Sequence, residues 1–370
     1  VVQLLAVLGA GIALIFTAFN YRLTRRGQVT DRFIKALERL DSEELYVRLG
    51  GVLALEQIVQ DAPDQATHAA QVLSAFLRRR APGQTPTAPA SARRDRIAAA
   101  RRSALRGTEP PPRLPSPSPS SPEADVQHAL TALTHPSIRK NVAPEQELVL
   151  DELNLAGVKL TGANLSYIWL NKANLSNAWL SRANLSGAWL SKTILTGAWL
   201  VHTDLTHARL DGANLSGARL TDATLTGVIL DGANLTGAWL EEADLTAACL
   251  RKADLTAAHL EDATLIRTRL EKADLTAAHL EEANLTQAHL DEANLTRARL
   301  DSADFNGADL TAARLDGAYL GGADLSNALG LTPTQVWKAV ITSSTRLPDV
   351  MAGHPLITAR VREIEHRFDL

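Results

Sequence analysis

The chain is 370 residues long with a net charge of −3 and a single cysteine, Cys249. That length accommodates more than one folded unit, and one cysteine excludes an internal disulfide and reads as a reducing compartment. The charge is uneven: residues 1–147 carry a net +5, residues 148–327 a net −9 and residues 328–370 a net +1.

Val1 to Phe19 is apolar apart from Gln3 and Thr17, and Tyr21, Arg22, Arg25 and Arg26 follow it. A run of about 19 residues is just long enough to span a bilayer. It predicts a transmembrane helix over residues 1–20, with the basic flank and the bulk of the chain on the cytoplasmic side of a single-pass membrane protein. A basic leader and a small-x-small cleavage site, the marks of a secretory signal, are missing before the Arg cluster. The chain begins without Met, so the expectation is that residues precede it.

Residues 21–80 read as a juxtamembrane region of three short helices. Val29, Phe33, Leu37 and Leu40 give the first an apolar face. Ser42 is a plausible cap for the second, which runs through Leu45, Leu49, Val52, Leu53 and Leu55 to Ile58, with Gly50-Gly51 weakening its middle. The third, Asp64 to Leu77, ends in Arg78-Arg79-Arg80, cations suited to a helix C-terminus. Residues 81–122 are rich in Pro, Ser, Ala and Arg and predict a disordered linker. Its cluster Arg93, Arg94, Arg96, Arg101, Arg102 and Arg106 could meet anionic lipid or nucleic acid, but no aromatic is interleaved to stack on bases, and no nucleic-acid partner is assigned. Residues 123–147 hold a short amphipathic helix, Asp125 to Leu133.

From residue 148 to residue 327 a bulky apolar residue returns at every fifth position. Of the 36 positions from Leu150 to Leu325, 35 are Leu and one is Phe305, and the residue two places earlier is Ala in 28 cases. Neither a 3.6-residue helix nor a 2-residue strand has this period; stacked short units sharing a core do. In Ala163-Asn164-Leu165-Ser166-Tyr167, Ala163 and Leu165 face inward, Asn164 faces out, and Ser166-Tyr167 form a tight turn. The outward residue alternates with a period of ten: Asn164, Trp169, Asn174, Trp179, Asn184, Trp189. A three-sided coil of fifteen residues would mix the two kinds in every vertical column, whereas a four-sided coil of twenty keeps each column uniform; the expectation is four sides, making about nine coils in a rod of roughly 40 Å. Gly holds the second turn position at Gly157, Gly162, Gly187, Gly197, Gly212, Gly217, Gly227, Gly232 and Gly237, but at no position between Glu242 and Ser302. A type II turn wants φ > 0 there, so a switch to turns without positive φ is expected over 242–302.

The A-[DN]-L-[ST]-x register resembles the pentapeptide repeat proteins, and the resemblance implies a right-handed four-sided parallel β-helix. Gly27-Gln28-Val29-Thr30-Asp31-Arg32-Phe33 and Val47-Arg48-Leu49-Gly50-Gly51-Val52 resemble the juxtamembrane segment of membrane-anchored members of that family from actinobacteria. Within the family the helix before the repeats covers the first coil. Residues 328–370 predict the other cap: Thr332-Pro333-Thr334-Gln335 has capping-box form, Val336, Trp337 and Val340 offer an apolar face, and Leu356 to Phe368 is a further helix.

On the outside of such a coil Trp169 stacks under Trp189, and Trp179 under Trp199, with Arg219 between Trp199 and Trp239. Exposed Trp of this kind marks a contact: either intramolecular cover by residues 124–147 or the helical region, or a protein partner or second copy, with a flat sugar-binding face behind both. Glu241, Glu242, Glu261, Asp262, Glu281, Glu282 and Asp301 form an acidic ladder near one corner, with Lys252 and Lys272 on another corner and unable to neutralise it. The His rows, with His259 and His279 in one column and His289 on the opposite side, could bind metal or sense pH, but without inward convergence or a carboxylate-backed site they read as surface residues. No phosphate loop, nucleophile elbow or zinc spacing occurs, so no catalytic residue, cofactor or metal is assigned. The Asn-Leu-Ser/Thr sequons are generated by the repeat itself. The expected function is a bacterial, membrane-tethered, non-enzymatic scaffold with a protein partner. The runner-up is a DNA-mimicking gyrase-binding protein, a role the resemblance allows and the acidic rod keeps open.

Overall fold

The computed structural model describes residues 27–83, 121–143, 146–351 and 353–368. The apolar run at 1–20 and linker residues 84–120 lie outside them. Among the described residues no helix is long and apolar enough to cross a membrane. The chain divides into two compact units: residues 1–77 with 123–146, and residues 78–122 with 147–370.

Within the first unit, residues 27–40, Leu45–Asp61 and Ala66–Arg80 are the three expected helices. The face of the first differs from expectation, because Ala36 and Leu40 are buried while Leu37 is 40% exposed. The second helix begins after Glu44, and Ser42 accepts from the Glu44 N–H through Oγ without being the helix cap. Gly51 has a packing reason: a Cβ there would lie 3.0 Å from both the Ala36 carbonyl oxygen and Leu40 Cγ, so its absence lets two helices cross closely. Ala124–Thr134 packs against Leu45–Asp61, and the Arg48 guanidinium donates to Asp125, both side chains buried. Arg48 Nη1 donates to the Ser42 and Glu43 carbonyls and Nη2 lies 3.7 Å from the Glu123 carboxylate, partners of the kind a buried cation requires.

Within the second unit the coil is four-sided. Parallel bridges join each outward residue to the one twenty places on: Asn154 to Asn174, Lys159 to Trp179, Asn164 to Asn184, Trp169 to Trp189. The Leu and Ala positions fill the interior, with Leu235, Leu245, Phe305 and Ala258 all at 0% exposure. Thr replaces Ala at Thr193, Thr203 and Thr268, and each buried hydroxyl donates to a carbonyl of the preceding coil, at Leu170, Leu180 and Leu245.

The pentad follows from where each N–H goes. Leu155 donates to the Asn174 carbonyl of the next coil, Asn174 donates back to Leu153, and Gly157 donates to Ser176. Val158 closes the turn onto the Leu155 carbonyl. One N–H per unit remains, at the first turn residue, and a side chain takes it. On the Asn/Asp sides the residue two places earlier does so: Asn164 Oδ1 accepts from both the N–H and hydroxyl of Ser166, as Asp254 Oδ1 does from Thr256. On the other sides the coil below can supply the acceptor, as Asp231 Oδ1 does for Arg251 and Asp301 Oδ1 for Gly321. The A-[DN]-L-[ST] wording is thus a hydrogen-bonding requirement of buried backbone.

The expected change of turn over 242–302 does not occur. Glu242, Ala247, Lys252, Ala257, Asp262, Arg267, Lys272, Ala277, Glu282, Gln287, Glu292, Arg297 and Ser302 all have φ between 54° and 62°. Their N–H groups carry ladder bonds (Ala257 to the Thr276 carbonyl, Glu242 to Glu261), so a coil that turned differently would leave its neighbours unpaired. A left-handed non-Gly residue costs about 1–2 kcal/mol, and the cooperative ladder outweighs it.

At the N-terminal edge, Pro82 bridges Leu153 and the Asn154 N–H reaches the Ala81 carbonyl. At the far edge the coil runs on beyond residue 327: Val340 bridges Tyr319 and Arg346 bridges Asp324, across a bulge holding the helix Pro333–Lys338. The Thr332/Gln335 capping box forms, and Gln335 also donates to the Leu310 and Ala313 carbonyls. Val336, Ala339 and Ile341 close the interior. Trp337 does not join them; it is 46% exposed, with the Arg360 guanidinium of the helix Pro355–Phe368 lying 5.7 Å from its ring centroid.

Two substitutions test this account. Leu235→Asp is expected to destabilise by more than about 4 kcal/mol, read by denaturant unfolding, because a charge replaces a fully buried rung. Ala257→Gly is expected to be neutral or stabilising because it relieves a positive φ, whereas Ala258→Gly, one residue on in the interior, is expected to cost about 1 kcal/mol or more.

Candidate functional site

The aromatic and cationic residues come together in columns because their positions differ by twenty. Lys159, Trp179, Trp199, Arg219, Trp239, His259, His279, Arg299 and Tyr319 are bridged in succession along one side. Trp179 and Trp199 stack with centroids 5.4 Å apart and planes 9° apart. The Arg219 guanidinium lies 4.6 Å from the Trp199 centroid and 5.7 Å from that of Trp239. Trp239 stacks on His259 at 4.4 Å, and the His279 ring lies 4.7 Å from that of His259, tilted from it by 34°. A second side carries Trp169 on Trp189 at 4.9 Å with Arg209 4.6 Å above the latter. The rings therefore cover one another, and the cations sit where the ring quadrupole favours them. They keep an open edge: Trp179 is 46% exposed and Tyr319 43%.

The expected acidic ladder lies beside this column, and two of its members are neutralised by it. Glu261 Oε1 is 3.2 Å from His259 Nδ1 and 3.4 Å from His279 Nδ1. Glu281 Oε1 accepts from Arg299 Nε at 2.7 Å. Glu241 accepts from the Thr221 hydroxyl. Glu242, Asp262 and Glu282 occupy the positive-φ turn positions of the same corner. Lys272 pairs instead with Glu292 on another corner, as expected of its position. The expectation that no carboxylate backs His259 and His279 does not hold, since Glu261 sits between them, although both side chains remain at the surface. The signal was present as His-x-Glu at 259–261 together with His279 twenty residues after His259.

Burial of the His259 ring opposes its charging, but the hydrogen bond to Glu261 and the charges of Glu261, Glu241 and Glu281 prevail and raise its pKa above 6.5. Burial likewise pushes Glu261 up, yet hydrogen bonds from His259 and His279 bring it from 4.5 to about 2. A raised His stabilises below its unfolded pKa and loses that contribution as pH rises through the folded value; a depressed Glu stabilises above its unfolded pKa and loses it as pH falls. The pair is thus fully effective between about 4.5 and 6.5. The melting-temperature difference between the native chain and Glu261→Gln, measured with a chelator present, is expected to be largest in that window. It shrinks on the alkaline side as His259 discharges and on the acid side as Glu261 protonates.

Pentapeptide repeat models match in eight copies, spanning residues 149–177, 159–197, 198–237, 238–276, 278–317 and 308–329. No curated protein matches the chain. Among solved structures, HetL, a pentapeptide repeat protein involved in heterocyst differentiation regulation from the cyanobacterium Nostoc sp. strain PCC 7120, is 32% identical with a TM-score of 0.35, over 54% of this chain and 91% of HetL. A trypsin-treated form of QnrB1, a plasmid-mediated fluoroquinolone resistance protein, is 19% identical with a TM-score of 0.34, over 59% of this chain and 98% of QnrB1. A pentapeptide repeat protein of the Arabidopsis thaliana thylakoid lumen is 29% identical with a TM-score of 0.23, over 30% of this chain and 74% of its own. Through the region 149–329, this chain belongs to the pentapeptide repeat family.

Proposed function

We propose that the chain is a non-enzymatic interaction protein whose repeat domain presents the column from Trp179 to Tyr319 to a protein partner. The observation that carries this reading is the unbroken register of that column: eight outward residues, all aromatic or cationic, are held one per coil by the backbone ladder. Protein-binding surfaces are enriched in Trp, Tyr and Arg, because these side chains combine a large apolar area with a directional polar group. Their ring stacking fixes the rotamers before binding, which lowers the ordering cost of association. The interior, filled by Leu and Ala at or near 0% exposure, holds the frame rigid and leaves substrate no room there.

The apolar run Val1–Phe19 and the basic residues after it support a place on the cytoplasmic side of a membrane, with residues 81–122 as the tether. A photo-cross-linking amino acid at position 179 or 319, compared with one at Asn234 on a different side, tests the surface in intact cells. A discrete protein adduct from 179 and 319, absent from 234 and lost on Trp199→Ala, is the expected result. Adducts of equal yield from all three positions would refute it. Recovery of gyrase subunits alone, with inhibition of gyrase supercoiling by the chain, would shift the assignment to the DNA-mimicking alternative carried by the acidic corner.

A further inference from the structure

We propose that His259, Glu261 and His279 form a binding site for one divalent cation of the zinc class on the surface of the repeat domain. The three side chains come from two successive coils and converge on a shared point: their ligand atoms all lie within 4.8 Å of one another. The two His–Glu separations, 3.2 Å and 3.4 Å, match a tetrahedron's edge. Zn–N and Zn–O bonds of about 2.0–2.1 Å place neighbouring ligands about 3.3–3.4 Å apart. Two imidazole nitrogens and a carboxylate oxygen select zinc and its late first-row neighbours over calcium and magnesium, which take oxygen ligands.

The surroundings hold these ligands in position. His259 is fixed from one side by the Trp239 ring at 4.4 Å, and both His backbones are clamped by ladder bonds, His259 to the Ala238 carbonyl and His279 to that of Ala258. The second oxygen of Glu261 is buried and has no hydrogen-bond partner, so a cation would meet a carboxylate that the described residues satisfy at one oxygen only. Glu241 and Glu281 stand one coil below and one coil above Glu261, with Arg299 paired to Glu281. Glu241, Glu261 and Glu281 thus put three carboxylates beside the Arg299 guanidinium, negative charge that a dication offsets. His259 and His279 are 28% and 30% exposed, so the cation has an entry path and water can complete its coordination.

Protons and the cation compete for the same imidazole nitrogens, which makes affinity rise with pH. The test is calorimetric titration of zinc chloride into the full chain, freed of metal with a chelator, at pH above the His range. One zinc ion more per chain is expected than in the His259→Gln/His279→Gln double variant. Each single change (His259→Gln, His279→Gln or Glu261→Gln) is expected to weaken that binding about tenfold or more, since each removes a direct ligand. His289→Gln, on another side of the coil, is expected to leave it unchanged. Cobalt gives a second readout, the intense visible absorption of a tetrahedral site, lost in the double variant. Unchanged circular dichroism of the variants confirms that the coil is intact. Zinc binding of the same stoichiometry and affinity in the double variant would overturn the proposal, as would no binding at micromolar zinc in the native chain. In the second case Glu261 serves only to join the His259 and His279 side chains across two coils.

Discussion

Everything in the repeat domain depends on the hydrogen bonds between one coil and the next. A backbone that turns every five residues has no helix or broad sheet of its own to satisfy its polar groups, so each N–H must find a carbonyl on a neighbouring coil, the carbonyl three residues back across its own turn, or a side chain placed for it. The Leu and Ala columns make this possible by filling the interior and excluding water. Each buried Leu adds on the order of 1.5–3 kcal/mol. The ladder then dictates conformation as well as pairing: Ala257 and Glu282 adopt the same left-handed backbone as Gly237 because the turns above and below them require it. Local preference yields to register, and a single register runs the length of the domain.

That register is also what makes a surface. A side chain on an isolated strand has many rotamers and a mobile backbone beneath it. Here Trp199 has Trp179 below it and Arg219 above, each held about one ladder spacing away. Stacking turns several individually exposed rings into one continuous strip whose interior contacts are already made. The strip changes character along its length, from Trp at one end through His259 and His279 to Arg299 and Tyr319. The carboxylates of the adjoining corner follow the same spacing, which is why charge pairing occurs between neighbouring coils more than between neighbouring residues.

Much of this was legible in the pentad itself. The five-residue period with Leu at one position and Ala two places earlier specifies which atoms face inward, and the ten-residue alternation of Asn164, Trp169, Asn174 and Trp179 favours four sides over three, which the bridges at twenty residues establish. The stacking partners of Trp189, Trp199 and Trp239 follow by addition of twenty. The capping box at Thr332 was legible too, because its donors and acceptors lie within three residues of one another. The helix Ala124–Thr134 was readable as a helix from its apolar spacing, but its buried ion pair was not, since Asp125 meets Arg48 from 77 residues away.

What the sequence determined by itself was the repeat, its handed-down register and the inward or outward direction of each side chain, because those follow from a period and from backbone geometry alone. The tertiary structure decided the turns at Glu242 to Ser302, where residue preference argued one way and the shared ladder another. It also decided the meeting of Glu261 with His259 and His279, and the exposure of Trp337 in place of its burial. Such contacts depend on where a side chain leans at a corner and how far the next coil stands from it. Those are distances between chain segments, and only the stacked coil sets them.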